Sequence, residues 1–282
     1  LVCTFHNQLH RYDNVLKNFV TAAAASSIGK KVDHVVVISR ALLNEAVQMM
    51  RLPAEKVTCV YNGINPSEFA VLPPPSQFRQ EQGIPEDALL IGTVARLIPQ
   101  KGIQYLIEAA AILRDRFPKV RYVITGDGPM RQLLEQQVQE MGLAEIITFA
   151  GFRPKIDDFL AALDLFVLPT LEEGLSIAIM EAMAAAKPVV ASDVGGVPEL
   201  ISAENGALVR PGDAESLAEG IASLLSIDEA KRAAVGACGR RLIVERFTVG
   251  QMAQEHLRLY EDLNFRRRRG RGANAAPAPS KE

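Results

Sequence analysis

The sequence predicts an α/β protein built on parallel sheets. Three features carry that expectation: short apolar runs rich in β-branched residues, amphipathic helical stretches between them, and regular alternation of the two. The runs are VVVIS (35–39), VTCVYN (57–62), LLIGTVA (89–95), VRYVITG (120–126), IITFAG (146–151), DLFVLPT (164–170), PVVASD (188–193) and GALVRPG (206–212). Most are continuously apolar rather than alternating, the pattern of strands covered on both faces. Between them, GIQYLIEAAAILRDRF (102–117) sets Tyr105, Leu106, Ala109, Ile112 and Leu113 on one stripe, the spacing of a helix with one buried face. PMRQLLEQQVQEMG (129–142) and AESLAEGIASLLS (214–226) follow the same rule. Strands alternating with helices wind into a doubly wound sheet, which binds ligands beyond the carboxyl ends of its strands.

At 282 residues the chain suits two domains, or one and a fraction. Its 48% hydrophobic and 23% charged content is that of a soluble globular protein. No apolar run reaches the roughly 18 residues needed to span a bilayer, and the start, LVCTFHNQLH, lacks a signal-peptide pattern. That start reads as a buried strand entered in mid-fold. Cys3, Cys59 and Cys238 form no CxxC pair and are expected as buried free thiols in a reducing cytoplasm. The proline run VLPPPS (71–76) opens the expected linker, 71–82. Six of the eight runs follow it, enough for a complete domain over 83–246. Only two precede it, with a stub at Val2–Phe5, so the domain over 1–70 looks cut roughly in half. Helical sequence continues to Asn264, with a break expected at Phe247–Gly250. Residues 264–282 have the composition of a disordered basic tail. Five Arg and one Lys against one Glu give that tail +5, which leaves −7 of the net −2 to residues 1–263.

Chemistry concentrates in EEGLSIAIMEAM (172–183). Glu181 is the only charged residue between Gly174 and Ala186, and an ionised carboxylate in apolar surroundings is costly unless paired. Glu173 falls in the loop after a strand, Ser176 is a good N-cap, and a helix is expected from Ile177. Free N–H groups near Leu175 to Ala178 would favour an anion. A sugar or ribose hydroxyl would satisfy the carboxylates. In GTVARLIPQKG (92–102) a second strand ends in a loop with Arg96 and Lys101 before a helix at about Gly102. A cation there opposes the helix dipole, and a bound polyanion would reverse that penalty. Two solvated loop cations are the plain alternative; set beside a helix terminus in the same crevice, phosphate binding is the favoured reading.

Other signals are weaker. GDGPM (126–130) lacks the third glycine of a dinucleotide fingerprint and reads as a tight turn at the crevice edge, which puts Gly126 beside the ligand. His6 and His10 have i, i+4 spacing without a third ligand nearby, so no metal is expected. No Asp-x-Asp occurs to hold a metal diphosphate. The tail arginines suit a peripheral contact with an anionic membrane, or a solvated end, better than nucleic acid.

The order ARLIPQKG, GDGP, GF, then PTLEEGLSIAIMEAMAAAKPVVASDVGGVPEL resembles the retaining glycosyltransferases that carry a Glu-x7-Glu pair, here Glu173 and Glu181. TFH near the start and YNGINPSEF before the linker extend the likeness from Val2 to Leu263. The resemblance implies the glycosyltransferase B fold: a complete Rossmann-like donor-binding domain, a partial amino-terminal one, and a final helix at 247–263 crossing back. It implies a nucleoside-diphosphate sugar as donor, no cofactor, and a glycan, lipid-linked or small-molecule acceptor. Carried over by motif, Arg96 and Lys101 would hold the diphosphate, Glu181 the ribose and Glu173 the transferred sugar. Backbone at Gly174, Leu175, Ser176 and Ile177 would meet sugar and phosphate. Phe152 and Arg153 would border the base, and His6 would approach the reacting sugar. The family's glycine-rich first loop is absent from this sequence, and Ala95 stands where many members have Gly. Two readings compete: a nucleotide-sugar epimerase of the same fold, and a nucleotide-binding module without transferase activity. A double-displacement glycosidase is disfavoured by the phosphate site beside the carboxylates.

Overall fold

The computed structural model describes residues 1–6, 27, 31–50 and 52–273, with 49, 50 and 267–273 through their backbone alone. The α/β class holds: every strand in it pairs parallel. A small sheet takes β1 (Val2–Phe5), β2 (His34–Val37) and β3 (Val57–Cys59) in that order. A six-stranded sheet contains β4 (Leu89–Val94), β5 (Val120–Thr125), β6 (Ile147–Gly151), β7 (Leu165–Leu168), β8 (Val189–Ser192) and β9 (Gly206–Val209). Its order is β6-β5-β4-β7-β8-β9, the Rossmann arrangement, with the direction of winding reversed between β4 and β7.

Helices cover both faces of the large sheet, which is why its strands read as unbroken apolar runs. On one face, α3 (Ile103–Leu113) and α7 (Ala214–Leu225) bury Leu106, Ile107, Leu217 and Ile221 against Ile91, Val167 and Val190. On the other, α6 (Ile177–Ala184) and α8 (Glu229–Arg246) bury Ile179, Met183 and Ile243 against Phe166, Val189 and Ala191. The short helices α4 (Arg131–Glu140) and α5 (Asp157–Ala162) complete the alternation. In the smaller unit α1 (Arg40–Met50) packs on β2 and β3.

Two expected boundaries move. The segment 71–82 is largely not linker, because Pro75–Glu81 forms α2 and packs on α5 of the large domain. Phe78 is fully buried there, edge-on to Phe159 at 5.5 Å. Arg79 fastens the helix: its guanidinium donates to Ala88 O at 2.8 Å, Ala162 O at 3.0 Å and Asp164 Oδ2 at 3.0 Å. Proline in the first turn favours a helix as readily as it marks a linker. At the other end α9 (Val249–Ala273) continues ten residues past Leu263. Arginine is a good helix former, and Asp262 pairs with Arg266 one turn on at 2.7 Å. The remainder of the tail, 274–282, lies outside the described residues.

Helix α9 lies on the small sheet, where Leu259 packs with Val36 and Val60. Backbone bonds between Ile64 and Phe247 and between Val249 and Ile64, at 3.0 and 2.9 Å, fix its start. The three cysteines are free and half-buried rather than buried. Among the described residues no helix is long and apolar enough to cross a membrane.

Removing the Phe78 ring leaves a cavity between α2 and α5, so Phe78→Ala should destabilise the protein by about 3–5 kcal/mol. Denaturant unfolding checks this; a change within error would return 71–82 to the status of a linker.

Candidate active site

The loops that leave β4 and β7 diverge where the winding reverses, and both carry site residues. After β4 the chain passes Arg96, turns through a 3₁₀ segment at Pro99–Lys101, and enters α3 through Gly102 in the left-handed region. After β7 it passes Glu173 and reaches α6, where Ser176 Oγ accepts from Ile179 N at 3.4 Å as the N-cap. The two loops are joined across 72 positions: Lys101 Nζ donates to Glu173 Oε2 at 2.7 Å, with both side chains mostly buried. A cation that would oppose the dipole of α3 is thereby offset by a carboxylate.

A cavity of about 340 Å³ opens onto this pair. Glu173, Leu175, Ser176, Ile177 and Ala178 line it from the large domain, and His6, Ile38 and Asn62 face them from the small one. Gly174 is glycine because the two units touch there: a Cβ would lie 2.3 Å from the His6 carbonyl oxygen. The first helical amides, Ile177 and Ala178, have no backbone acceptor among the described residues. They point outward from the start of α6, the arrangement that suits an anion.

Of the α6 side chains, Ile179, Met180, Ala182, Met183 and Ala184 are buried. Ile177, Ala178 and Glu181 remain as the accessible stripe at i, i+1 and i+4. Glu181 is one turn beyond the cavity lining, without a hydrogen-bonding or ion-pair partner among the described residues. Burial, reinforced by the nearby Glu68 carboxylate, pushes its pKa up to about 7.

Arg96 is exposed and has no side-chain partner among the described residues, so its guanidinium is available to a ligand. Gly126 has a structural reason of its own, since a Cβ would meet the Ala95 carbonyl oxygen at 1.9 Å. The 126–130 turn presses on the Arg96 loop, and Leu97 N donates to Asp127 O at 2.9 Å. Phe152 is 75% exposed just past β6, at the same end of the sheet. Arg153 does not face this crevice freely. Its guanidinium pairs with Asp158 and with Glu81 (3.4 Å) and lies over the Phe78 ring at 5.0 Å, so it clamps α2 to α5. Asn62 was not expected in the site, although its Asn-Gly pair after β3 marks a turn at the same end of the small sheet. His10 lies outside the described residues, and among those described no three His, Cys, Asp or Glu gather to hold a metal ion.

The Glu181 shift has a defined sign. Its folded pKa near 7 exceeds the ordinary 4.5, so the unfolded chain releases the proton first as pH rises. Its contribution to stability is fully present below about 4.5, falls as pH rises towards 7, and levels off above. Glu181→Gln should flatten the stability profile between pH 5 and 7 and should not destabilise the protein at pH 8. Thermal melts across that range check this; a steep loss of stability at pH 8 would reveal a hidden cationic partner.

A family model for glycosyl transferases group 1 matches residues 76–241, and one for glycosyltransferase family 4 matches residues 1–68. An uncharacterized glycosyltransferase of Methanocaldococcus jannaschii is 34% identical over 233 residues, 80% of this chain and 59% of that protein. The putative colanic acid biosynthesis glycosyltransferase WcaL of Escherichia coli is 30% identical, over 77% of this chain and 54% of its own length. The chain thus spans little more than half the length of these relatives. Among solved structures, Anabaena HepE in complex with UDP-glucose superposes with a TM-score of 0.83 at 28% identity, over 93% of this chain and 72% of that one. With both units matched by models of such enzymes, the chain belongs to the group 1 glycosyl transferases.

Proposed function

We propose that this chain is a retaining hexosyltransferase of the Glu-x7-Glu type that uses a nucleoside-diphosphate sugar and needs no metal. The observation that best supports this is the Lys101–Glu173 pair at the amino end of α6, facing His6 and Asn62 across the cavity. Cation, carboxylate and helix terminus there match the three parts of a sugar diphosphate. Arg96, Lys101 and the amides of Ile177 and Ala178 receive the diphosphate. Glu173 accepts from sugar hydroxyls, and Glu181 from the ribose. Phe152 is left to border the base. The complexes of HepE with UDP and UDP-glucose favour a nucleotide-sugar donor here.

The chemistry follows from charge. As the anomeric C–O bond breaks, its electron pair goes to the diphosphate oxygen and the sugar becomes oxocarbenium-like. Fixed cations and helix amides stabilise the departing oxygen without reorganisation. The acceptor hydroxyl attacks on the face the diphosphate leaves, so configuration is retained, and its proton passes to the departing phosphate. His6, at the end of β1, stands on the acceptor side of the cavity. The acceptor is a glycan, a lipid-linked sugar or a small molecule. The basic end of α9 fits a cytoplasmic enzyme held peripherally at an anionic membrane face. Deleting residues 264–282 should then abolish salt-sensitive binding to anionic vesicles; binding that survives would place the contact on the folded domains.

Release of nucleoside diphosphate from a panel of nucleotide sugars tests the reading. Slow hydrolysis of one donor is expected, whereas epimer formation would mean an epimerase, and binding without turnover an inactive module. Arg96→Ala should weaken bare nucleoside diphosphate by about 1–3 kcal/mol, the worth of a charge-assisted hydrogen bond. Glu173→Gln should spare bare nucleoside diphosphate and weaken only the nucleotide sugar. Equal calorimetric affinities for wild type and Arg96→Ala would remove the proposed diphosphate site.

A further inference from the structure

Glu199 joins the two units away from the cavity lining. It ends a 3₁₀ segment, Val197–Glu199, whose first residue, Val197, and the following Leu200 are buried in the large domain. It reaches across to the small unit, 159 positions away in sequence: Glu199 Oε2 accepts from Arg40 N at 3.1 Å, and Oε1 from Ala41 N at 3.2 Å. The Tyr61 hydroxyl donates to Oε2 at 2.7 Å.

Helix α1 has no acidic residue in its first turn. Its own Ser39 hydroxyl accepts from Leu42 N at 3.3 Å, and Glu199 takes the two preceding amides. The carboxylate that the helix dipole favours therefore comes from the other domain. Burial and the Glu199 carboxylate both raise the Tyr61 pKa, which keeps its hydroxyl a donor at any working pH.

The same turn touches the catalytic loop. Gly196 N donates to Gly174 O at 3.0 Å, and a Cβ on Gly196 would lie 2.8 Å from Ser39 Cβ. The segments that Glu199 holds are next to two cavity-lining residues: Ile38 precedes Ser39 and Arg40, and Asn62 follows Tyr61. We propose that Glu199 is a positioning residue, an interdomain latch that closes the cleft and sets the acceptor-side wall against Glu173 and Gly174. Bare nucleoside diphosphate needs only the large domain and is indifferent to the latch. Sugar transfer needs both walls and depends on it. The kinetic half of this inference rests on the proposed transferase reading; the contact itself does not.

The test uses the full chain with Glu199→Gln and, as the gentler variant, Tyr61→Phe, which removes one donor and no charge. In ligand-free protein the Arg40 and Ala41 amides should exchange with solvent at least tenfold faster in Glu199→Gln than in wild type. Nucleoside diphosphate affinity should stay within twofold for both variants. At saturating nucleotide sugar, kcat should fall about tenfold in Glu199→Gln and about threefold in Tyr61→Phe, with donor KM little changed. Unchanged amide exchange would overturn the latch. Faster exchange with unaltered kcat would overturn its positioning role, as would a loss of melting temperature and donor affinity together without a separate fall in kcat. If the wild type turns over no nucleotide sugar, the transferase reading fails and amide exchange alone decides the contact.

Discussion

The reversal of winding between β4 and β7 is the constraint on which the functional architecture rests. Parallel strands bury their backbone in the sheet, but where the order reverses the two exit loops diverge and cannot cover each other. The crevice left between them is bounded by chain ends: the amino terminus of α6, the Gly102 entry to α3, and the loop carrying Arg96. Such ends expose unsatisfied N–H groups, which makes the place intrinsically attractive to anions. The Lys101–Glu173 pair spans that crevice and ties one exit loop to the other. Glycines at 126 and 174 let neighbouring backbone approach both loops closely.

Charge in the site is distributed unevenly. The Arg96 guanidinium stands exposed without a protein partner among the described residues, Lys101 and Glu173 satisfy each other, and Glu181 is half-buried beside Glu68. A pair such as Lys101–Glu173 can exchange partners with a ligand at small cost, because each group keeps a counter-charge or hydrogen bond throughout. Glu181 differs. Desolvation holds its proton into the neutral range, a cost to the empty protein that donor hydroxyls would relieve. A residue that destabilises the fold in isolation yet sits on the accessible stripe of an otherwise apolar helix is better explained by a ligand than by packing.

Much of this was legible in the sequence. Strands buried on both faces announce themselves, and the runs at 35–39 and 188–193 fall within two residues of the strands His34–Val37 and Val189–Ser192. Ser176 was readable as a cap, Glu173, Arg96 and Lys101 as residues at strand exits, and Glu181 as a lone carboxylate in an apolar helix. What sequence could not carry is partnership at long range. Nothing local reveals that Lys101 meets Glu173, or that Arg153 folds back on Phe78, Glu81 and Asp158 rather than standing free. Short helices were also lost. Helix α5 has six residues, too few to display a period, and α2 hid behind prolines that equally suit a linker. Composition misread the start of the arginine-rich end, where helix propensity continues α9 beyond its apolar contacts. Nothing local marks Glu199 either, because its partners, Arg40, Ala41 and Tyr61, belong to the other unit.

The crevice between the β4 and β7 exit loops is proposed to receive a sugar diphosphate. A crystal structure of the full chain with bound nucleoside diphosphate decides this. The distal phosphate should lie against Arg96, Lys101 and the Ile177 and Ala178 amides, with ribose hydroxyls donating to Glu181. A nucleotide bound elsewhere, with the Lys101–Glu173 pair facing an empty crevice and Glu181 still without a partner, would contradict it.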